Sequence, residues 1–166
     1  IATWFGAGLS PVASGTVGSL AALPFAYVIH VTFGNVGLFA AAFLLSALGV
    51  VAADRYMASS GSEHDPGEIV VDQVEGQWLL LSALYPSVES YFVGFFLFRF
   101  FDVFKPWPVS LIDRNVKGGI GVMLDDLAAA VYPIGVYVLL VLLLPFFGRN
   151  DLLLMLTQFL SGLYVW

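Results

Sequence analysis

The 21 residues from Leu127 to Phe147 carry no charge, and this run limits the fold more than any other feature. A helix of that length is about 31 Å long, enough to cross the hydrocarbon core of a bilayer. A second apolar run covers residues 36–53. Only 11% of the chain is charged, against about 25% in soluble domains. The sequence therefore predicts an all-α, polytopic integral membrane helical bundle, with residues 1–166 as one domain.

Composition also excludes several classes of function. The net charge is −6, and ten of the 12 acidic residues lie between Glu63 and Asp126, so no basic surface for nucleic acid is expected. The chain has no cysteine. This excludes disulfides, a cysteine-based phosphatase mechanism and cysteine-ligated metals.

The scarce charges gather in residues 98–126, FRFFDVFKPWPVSLIDRNVKGGIGVMLDD. This stretch holds four of the six basic residues and four carboxylates: Arg99, Lys105, Arg114, Lys117, Asp102, Asp113, Asp125 and Asp126. Prolines and glycines interrupt it, which predicts a polar site in an otherwise apolar protein. Basic residues favour the cytoplasmic side, so we expect the site at the cytoplasmic membrane edge.

Helix signals divide the rest of the chain. Prolines, glycines and polar residues predict loops at 1–19, 54–67 and 113–121. The predicted helices are 20–33, ended by Gly34-Asn35, then 36–53, a helix over 68–85, 88–104, one opening at Asp125-Asp126, and 151–166. His64 and Asp65 could bind a metal, but a solvated loop is the favoured interpretation.

Carboxylates mark two of these helices. On a helix, Glu68, Asp72 and Glu75 fall within about 60° of one another, so they require a nearby cation or an acidic face in water. Asp125 and Asp126 point about 100° apart, which predicts that both can face one site only at a helix end. They are alternatively explained as acids favoured by a helix N-terminus.

These residue types together indicate chemistry on a lipid phosphate. Carboxylates without cysteine suit Mg²⁺, and arginine and lysine suit a phosphate group. Thr16 and Ser19 stand near a predicted helix start, where they either cap the helix or donate to a phosphate. The alternatives are a cation-binding membrane transport protein and a phosphatase for another lipid phosphate.

Four segments resemble the phosphatidylglycerophosphatase A family: GLSPVASGTVGSL, EIVVDQVEGQW, FRFFDVFKPWP and DRNVKGGIGVMLDD. The resemblance implies an all-helical enzyme of the bacterial inner membrane; with the apolar runs and the basic residues described above, we expect a multi-pass protein with its active site facing the cytoplasm. It implies Mg²⁺-dependent hydrolysis of phosphatidylglycerophosphate to phosphatidylglycerol, with phosphatidylglycerophosphate and membrane lipids as partners. Two positions depart from the family pattern. Gln73 replaces a glutamate, for which Glu75 is expected to compensate, and Ser14 replaces a proline.

The resulting hypothesis assigns roles residue by residue. Asp72 and Asp126 bind Mg²⁺, and Asp125 with Glu68 or Glu75 completes or orients the ligand shell. The predicted phosphate-binding residues are Thr16, Ser19, Arg99, Lys105 and Arg114. Asp102 or Asp113 acts as a general base or holds the basic residues in place. The oligomeric state is left open.

Overall fold

A computed structural model describes residues 1–61 and 66–143, and this part of the chain contains helices and no strand. The predicted all-α class is therefore confirmed for these residues. A 3-10 helix, Ala7–Leu9, precedes five α-helices: α1 Ser14–Ser60, α2 Val71–Ser82, α3 Val88–Phe104, α4 Val109–Asn115 and α5 Gly118–Leu143.

Helix α1 consists of two helical halves that meet at Gly34. This glycine has φ 68° and ψ −172°, a backbone conformation that side chains with a Cβ rarely adopt. The predicted break at Gly34-Asn35 is thus confirmed, but the two halves extend further than predicted. Helix α1 begins at Ser14 and continues past Asp54 to Ser60, where Gly61 caps it in the left-handed conformation.

The short helix α2 forms the centre of the fold, because ten of its 12 residues are buried. It packs against α1, α3 and α5. Trp78 fixes it to α1 by donating a hydrogen bond from Nε1 to the Ala22 carbonyl at 3.1 Å. The N-terminal segment closes over the start of α2, where the N–H groups of Val70 and Val71 both donate to the Ala2 carbonyl.

Helix α3 has the bounds that the sequence predicts. The Ser87 hydroxyl caps its start by accepting from the Ser90 N–H at 3.1 Å, and Lys105 ends it with φ 39° immediately before Pro106. Helix α5 is fixed to α1 at its first turn, where the Gly119 N–H donates to the Asp54 carboxylate at 2.6 Å. This contact places the start of α5 near the end of α1.

Several predicted boundaries are wrong. Helix α5 begins at Gly118, so Asp125 and Asp126 lie two turns inside it and do not open it. Glu68 precedes α2 and is exposed, so it does not share a helix face with Asp72. The predicted loop at 113–121 contains the last turn of α4. Residues 151–166 and the pair His64 and Asp65 lie outside the described residues.

Two of the described helices are long and apolar enough to cross a membrane, judged by length and composition. They are Ser14–Ser60, with a mean hydropathy of 2.4, and Gly118–Leu140, with a mean hydropathy of 1.6. Both agree with the predicted membrane location.

Close packing at Gly76 generates a test of the fold. A Cβ on Gly76 of α2 would lie 2.6 Å from the Phe98 ring and 2.9 Å from the Asp126 carbonyl oxygen. We expect Gly76→Ala to destabilise the protein by about 1–3 kcal/mol, because α2, α3 and α5 would have to separate. A Cβ on Gly135 of α5 meets nothing within 4 Å. Gly135→Ala should therefore keep or raise the melting temperature in detergent. An unchanged melting temperature for Gly76→Ala would contradict this packing.

Candidate active site

Three buried aspartates from two helices form the centre of the candidate site. Asp72 comes from α2, and Asp125 and Asp126 come from α5. One carboxylate oxygen from each lies within 4.8 Å of the others, and each residue is at most 5% exposed. The prediction that Asp125 and Asp126 can share a site only at a helix end is wrong. Because α2 packs against α5, both carboxylates are buried two turns inside the helix.

This carboxylate cluster is suited to a hard divalent cation. Like charges this close and this well buried repel one another strongly unless a cation compensates them. Carboxylate oxygens are the ligands that Mg²⁺ prefers in proteins. The Oδ2 atom of Asp126 is buried and accepts no hydrogen bond from the described residues. The donor set therefore fits a bound Mg²⁺.

The amide of Gln73 belongs to the edge of this cluster. Its Nε2 donates to the Asp72 Oδ2 at 2.6 Å. Its Oε1 lies against the first turn of α1, 3.2 Å from where a Cβ on Gly15 would stand. The amide can thus orient the Asp72 carboxylate without adding a fourth negative charge.

The other two predicted acidic ligands lie outside the group of three. Glu75 is fully buried, and its Oε1 accepts a hydrogen bond from the Ser46 hydroxyl at 2.6 Å. Burial raises the pKa of Glu75 to about 8, and the nearby Asp125 charge adds to that shift. Burial therefore favours the neutral form of the Glu75 carboxyl. The structure does not bring the exposed Glu68 into the cluster.

Lys105, at the end of α3, connects three helices. Its Nζ donates to the Asp113 Oδ1 of α4 at 2.6 Å and also to the Asp125 Oδ2 of α5. Burial lowers the pKa of Lys105, but its hydrogen bonds to Asp113 and Asp125 outweigh that effect and raise the pKa overall. The same hydrogen bond lowers the pKa of Asp113. Lys105 is thus a fixed positive charge beside the cluster.

Arg99 supplies a second positive charge on the side of α1. Its Nη1 donates to the Asp102 Oδ2 one turn further along α3. Its Nε is buried and donates to no acceptor among the described residues. Asp102 is 7% exposed and acts electrostatically on Asp126, so this ion pair borders the carboxylate cluster.

The remaining predicted phosphate-binding residues lie at different depths. Thr16 is half-buried in the first turn of α1, close to the contact between Gly15 and Arg99. Arg114 is exposed in the last turn of α4. Ser19 is fully buried, and its hydroxyl makes no hydrogen bond within residues 1–61 and 66–143. Their roles stay predictions.

Sequence reasoning missed two residues that shape the site. Ser46 bonds to Glu75, and Gly15 leaves room for the Arg99 guanidinium. The signal for Ser46 was available, because it is the one residue with a hydrogen-bonding side chain in the run 36–53. Gly15 gave no such signal, since its importance depends on how α1 packs against α3.

Comparison with known proteins gives the family. The family model described as Phosphatidylglycerophosphatase A matches residues 1–141. The chain belongs to the phosphatidylglycerophosphatase A family. It is 42% identical to phosphatidylglycerophosphatase A of Escherichia coli strain K12 over 138 residues, which cover 82% of this chain and 78% of the relative. No solved structure matches the chain.

Two further relatives extend the comparison. Phosphatidylglycerophosphatase A of Haemophilus influenzae is 35% identical over 81% of this chain and 82% of its own. A protein of Bacteroides thetaiotaomicron, provisionally named a phosphatidylinositol-3-phosphatase, is 39% identical over 80% of this chain and 86% of its own. The chain is therefore an enzyme of the phosphatase class, which argues against the transport alternative.

The ion pairs of Lys105 generate a second prediction. Lys105→Met should lower the free energy of unfolding by about 1–3 kcal/mol. A fully buried ion pair would lose more, but the Lys105 side chain is 27% exposed, so solvent screens its pairs in part. Adding Asp125→Asn should recover part of that loss, since the uncompensated charge is removed with its partner. Melting temperatures in detergent measure both effects. Lys117→Met, at an exposed lysine, serves as the control. Strict additivity of the two substitutions would refute the coupling.

Proposed function

We propose that this protein hydrolyses phosphatidylglycerophosphate to phosphatidylglycerol and phosphate in phospholipid biosynthesis at the bacterial inner membrane. The observation that carries the proposal is the buried cluster of Asp72, Asp125 and Asp126 beside the bases Arg99 and Lys105. The names of the relatives from E. coli and H. influenzae support the choice of substrate.

Mg²⁺ is the proposed cofactor, with Asp72, Asp125 and Asp126 as its ligands. A bound Mg²⁺ would supply Lewis acidity toward the phosphoryl oxygens and lower the pKa of a bound water. The chain prepares this site by orienting the ligands. Gln73 holds one oxygen of Asp72, and Lys105 holds one oxygen of Asp125. The buried Oδ2 of Asp126 accepts no hydrogen bond from the described residues.

The basic residues are proposed to bind the phosphate monoester. Arg99 presents a buried Nε donor without an acceptor in the described part of the chain, and Lys105 carries a fixed charge. Thr16 of α1 and the exposed Arg114 of α4 are proposed as further phosphate-binding residues. Positive charge at these positions stabilises the negative charge that develops in the transition state of hydrolysis.

Asp102 and Asp113 are proposed as positioning residues. Each pairs with a base, Asp102 with Arg99 and Asp113 with Lys105. A carboxylate engaged in this way holds the cation in one orientation, which a phosphate-binding site requires. The sequence left two roles open for Asp102 and Asp113. Their ion pairs favour the role of holding the basic residues in place, rather than the role of general base.

The site is proposed to lie at the cytoplasmic edge of a multi-pass membrane bundle. Helix α3 exposes four phenylalanines at intervals of four residues, each more than half exposed: Phe92, Phe96, Phe100 and Phe104. Such an apolar stripe fits a lipid environment. Its polar end carries Arg99 and Lys105, and Arg55 ends the apolar run of α1. This distribution of basic residues favours the cytoplasmic side.

A second candidate substrate is an inositol lipid monophosphate. The relative from B. thetaiotaomicron is provisionally named a phosphatidylinositol-3-phosphatase. Both substrates place a phosphomonoester on a lipid head group, so the same carboxylates and bases would serve either. The two substrates differ in the rest of the polar head group, so contacts with that part of the head group would decide between them.

Phosphate release by purified protein tests this proposal. Phosphatidylglycerophosphate should be hydrolysed in Mg²⁺ and not in a chelator, and faster than phosphatidic acid or phosphatidylinositol 3-phosphate. Faster release from phosphatidylinositol 3-phosphate would transfer the assignment to the second candidate. Equal release with and without chelator would remove Mg²⁺ from the proposal.

Replacing one carboxylate tests the cluster directly. We expect Asp126→Asn to lower kcat at least about a hundredfold, because loss of a ligand forfeits several kcal/mol of transition-state stabilisation. The protein should still insert and purify, since the substitution preserves side-chain shape. Glu89→Gln, at an exposed acid at the start of α3, should leave kcat unchanged. Wild-type turnover by Asp126→Asn would exclude Asp126 from the ligand set.

A further inference from the structure

An apolar groove of about 410 Å³ opens between α1 and α3, outside the carboxylate cluster. Its lining is almost entirely apolar: Leu20, Leu23, Pro24 and Tyr27 of α1, with Val88, Tyr91 and Phe92 of α3. The volume is in the range of ligand-binding pockets. None of these side chains belongs to the proposed catalytic site.

Two contacts between α1 and α3 give the relative direction of these helices. The first turn of α1 contacts α3, where a Cβ on Gly15 would lie 3.1 Å from the Arg99 Nη1. The rings of Tyr27 and Tyr91 pack edge to face, with centroids 5.8 Å apart. The helices are thus antiparallel, and the groove lies around the Tyr27–Tyr91 contact, whose two rings are part of its lining.

Helix geometry gives the distance from the site. At 1.5 Å per residue, Leu20 lies about 8 Å along α1 from Gly15, and Phe92 about 10 Å along α3 from Arg99. The far end, at Tyr27 and Val88, lies about 17–18 Å away. The near end of the groove therefore lies about 8–10 Å along the two helices from the Gly15–Arg99 contact, and the groove runs away from that contact along the apolar part of both helices.

Tyr91 lines the groove, and its hydroxyl already makes a hydrogen bond within the protein. This residue is 6% exposed, and its hydroxyl bonds to the Nδ1 of His30 at 3.0 Å, while the Nε2 of His30 bonds to Asn35 at 2.9 Å. A polar ligand would gain little from such a lining. A flexible hydrocarbon chain can fill it without leaving a polar group unpaired.

We propose that this groove binds an acyl chain of the lipid substrate while its phosphate contacts Arg99 and Lys105. The inference rests on the proposed function, because the short distance between the groove and Arg99, about 8–10 Å along the helices, identifies the occupant. One acyl chain lies between α1 and α3, and the head group enters the polar site from the lipid side. The groove thereby favours long-chain lipid phosphates over short-chain or chainless phosphomonoesters.

Tryptophan substitutions at the two ends of the groove test this inference. Leu20→Trp fills the end near the site, and Val88→Trp fills the far end. Leu44→Trp and Val93→Trp are the matched controls, since both are exposed, lie on the same helices and do not line the groove. Phosphate release is measured with dipalmitoyl and dihexanoyl phosphatidylglycerophosphate and with the chainless glycerophosphoglycerophosphate.

The position of each substitution predicts a different result. Leu20→Trp should lower kcat/KM for both acylated substrates at least about tenfold and leave the chainless substrate unchanged. Val88→Trp should lower kcat/KM for the dipalmitoyl substrate alone. Unchanged ratios between the substrates, or an equal loss on all three, would overturn the proposal. An equal loss accompanied by a change in oligomeric mass would identify a second copy of the chain as the occupant.

A binding measurement separates this inference from the proposed function. Native mass spectrometry counts the dipalmitoyl phosphatidylglycerol retained by each purified variant. Both groove variants should retain less lipid than their controls, whether or not phosphate is released. Absence of turnover in the wild type with this difference preserved would refute the proposed function alone. Equal retention by the groove variants and their controls would refute the groove.

Discussion

Repulsion among buried carboxylates is the constraint on which the rest of the structure depends. Asp72, Asp125 and Asp126 lie within one small volume, and water cannot screen them there. The fold brings them together by passing the short helix α2 through its centre, against α5. Such an arrangement persists only where neighbouring groups stabilise it, so the surrounding polar contacts follow from this cluster.

Those contacts join every described α-helix to the site. Lys105 links α3 to α4 and α5, Gln73 holds Asp72 on α2, and Ser46 of α1 holds Glu75. Each partner lies at a helix end or on a face that packs on α2. Polar groups elsewhere in the apolar helices would gain nothing from burial, which explains why charge is confined to so few segments.

The confinement of charge to a few segments also explains how a polar site and an apolar outer surface can lie in one helical bundle. Helix α3 carries Arg99, Asp102 and Lys105 at one end, while its phenylalanines cover an outward face. A phosphate on a lipid head group must meet both environments at once. A helix that is polar at one end and apolar along its length is suited to that interface.

Sequence patterns predicted the helical class, the break at Gly34 and the bounds of α3, because each depends on local backbone preferences. Glycine at positive φ, proline after Lys105 and the Ser87 cap act within a few residues. The sequence also identified Asp72, Asp125 and Asp126 as candidates, since charge in an apolar chain is conspicuous. The start of α5 was missed because glycines 118, 119 and 121 resemble a loop.

The sequence by itself thus determined an apolar helical chain with its charge concentrated in a few segments. Tertiary structure decided which charges meet. It placed Asp125 and Asp126 two turns inside a helix, left Glu68 exposed and left Glu75 outside the group of three aspartates. Packing across helices sets these distances, whereas periodicity along one helix fixes only the direction in which each side chain points.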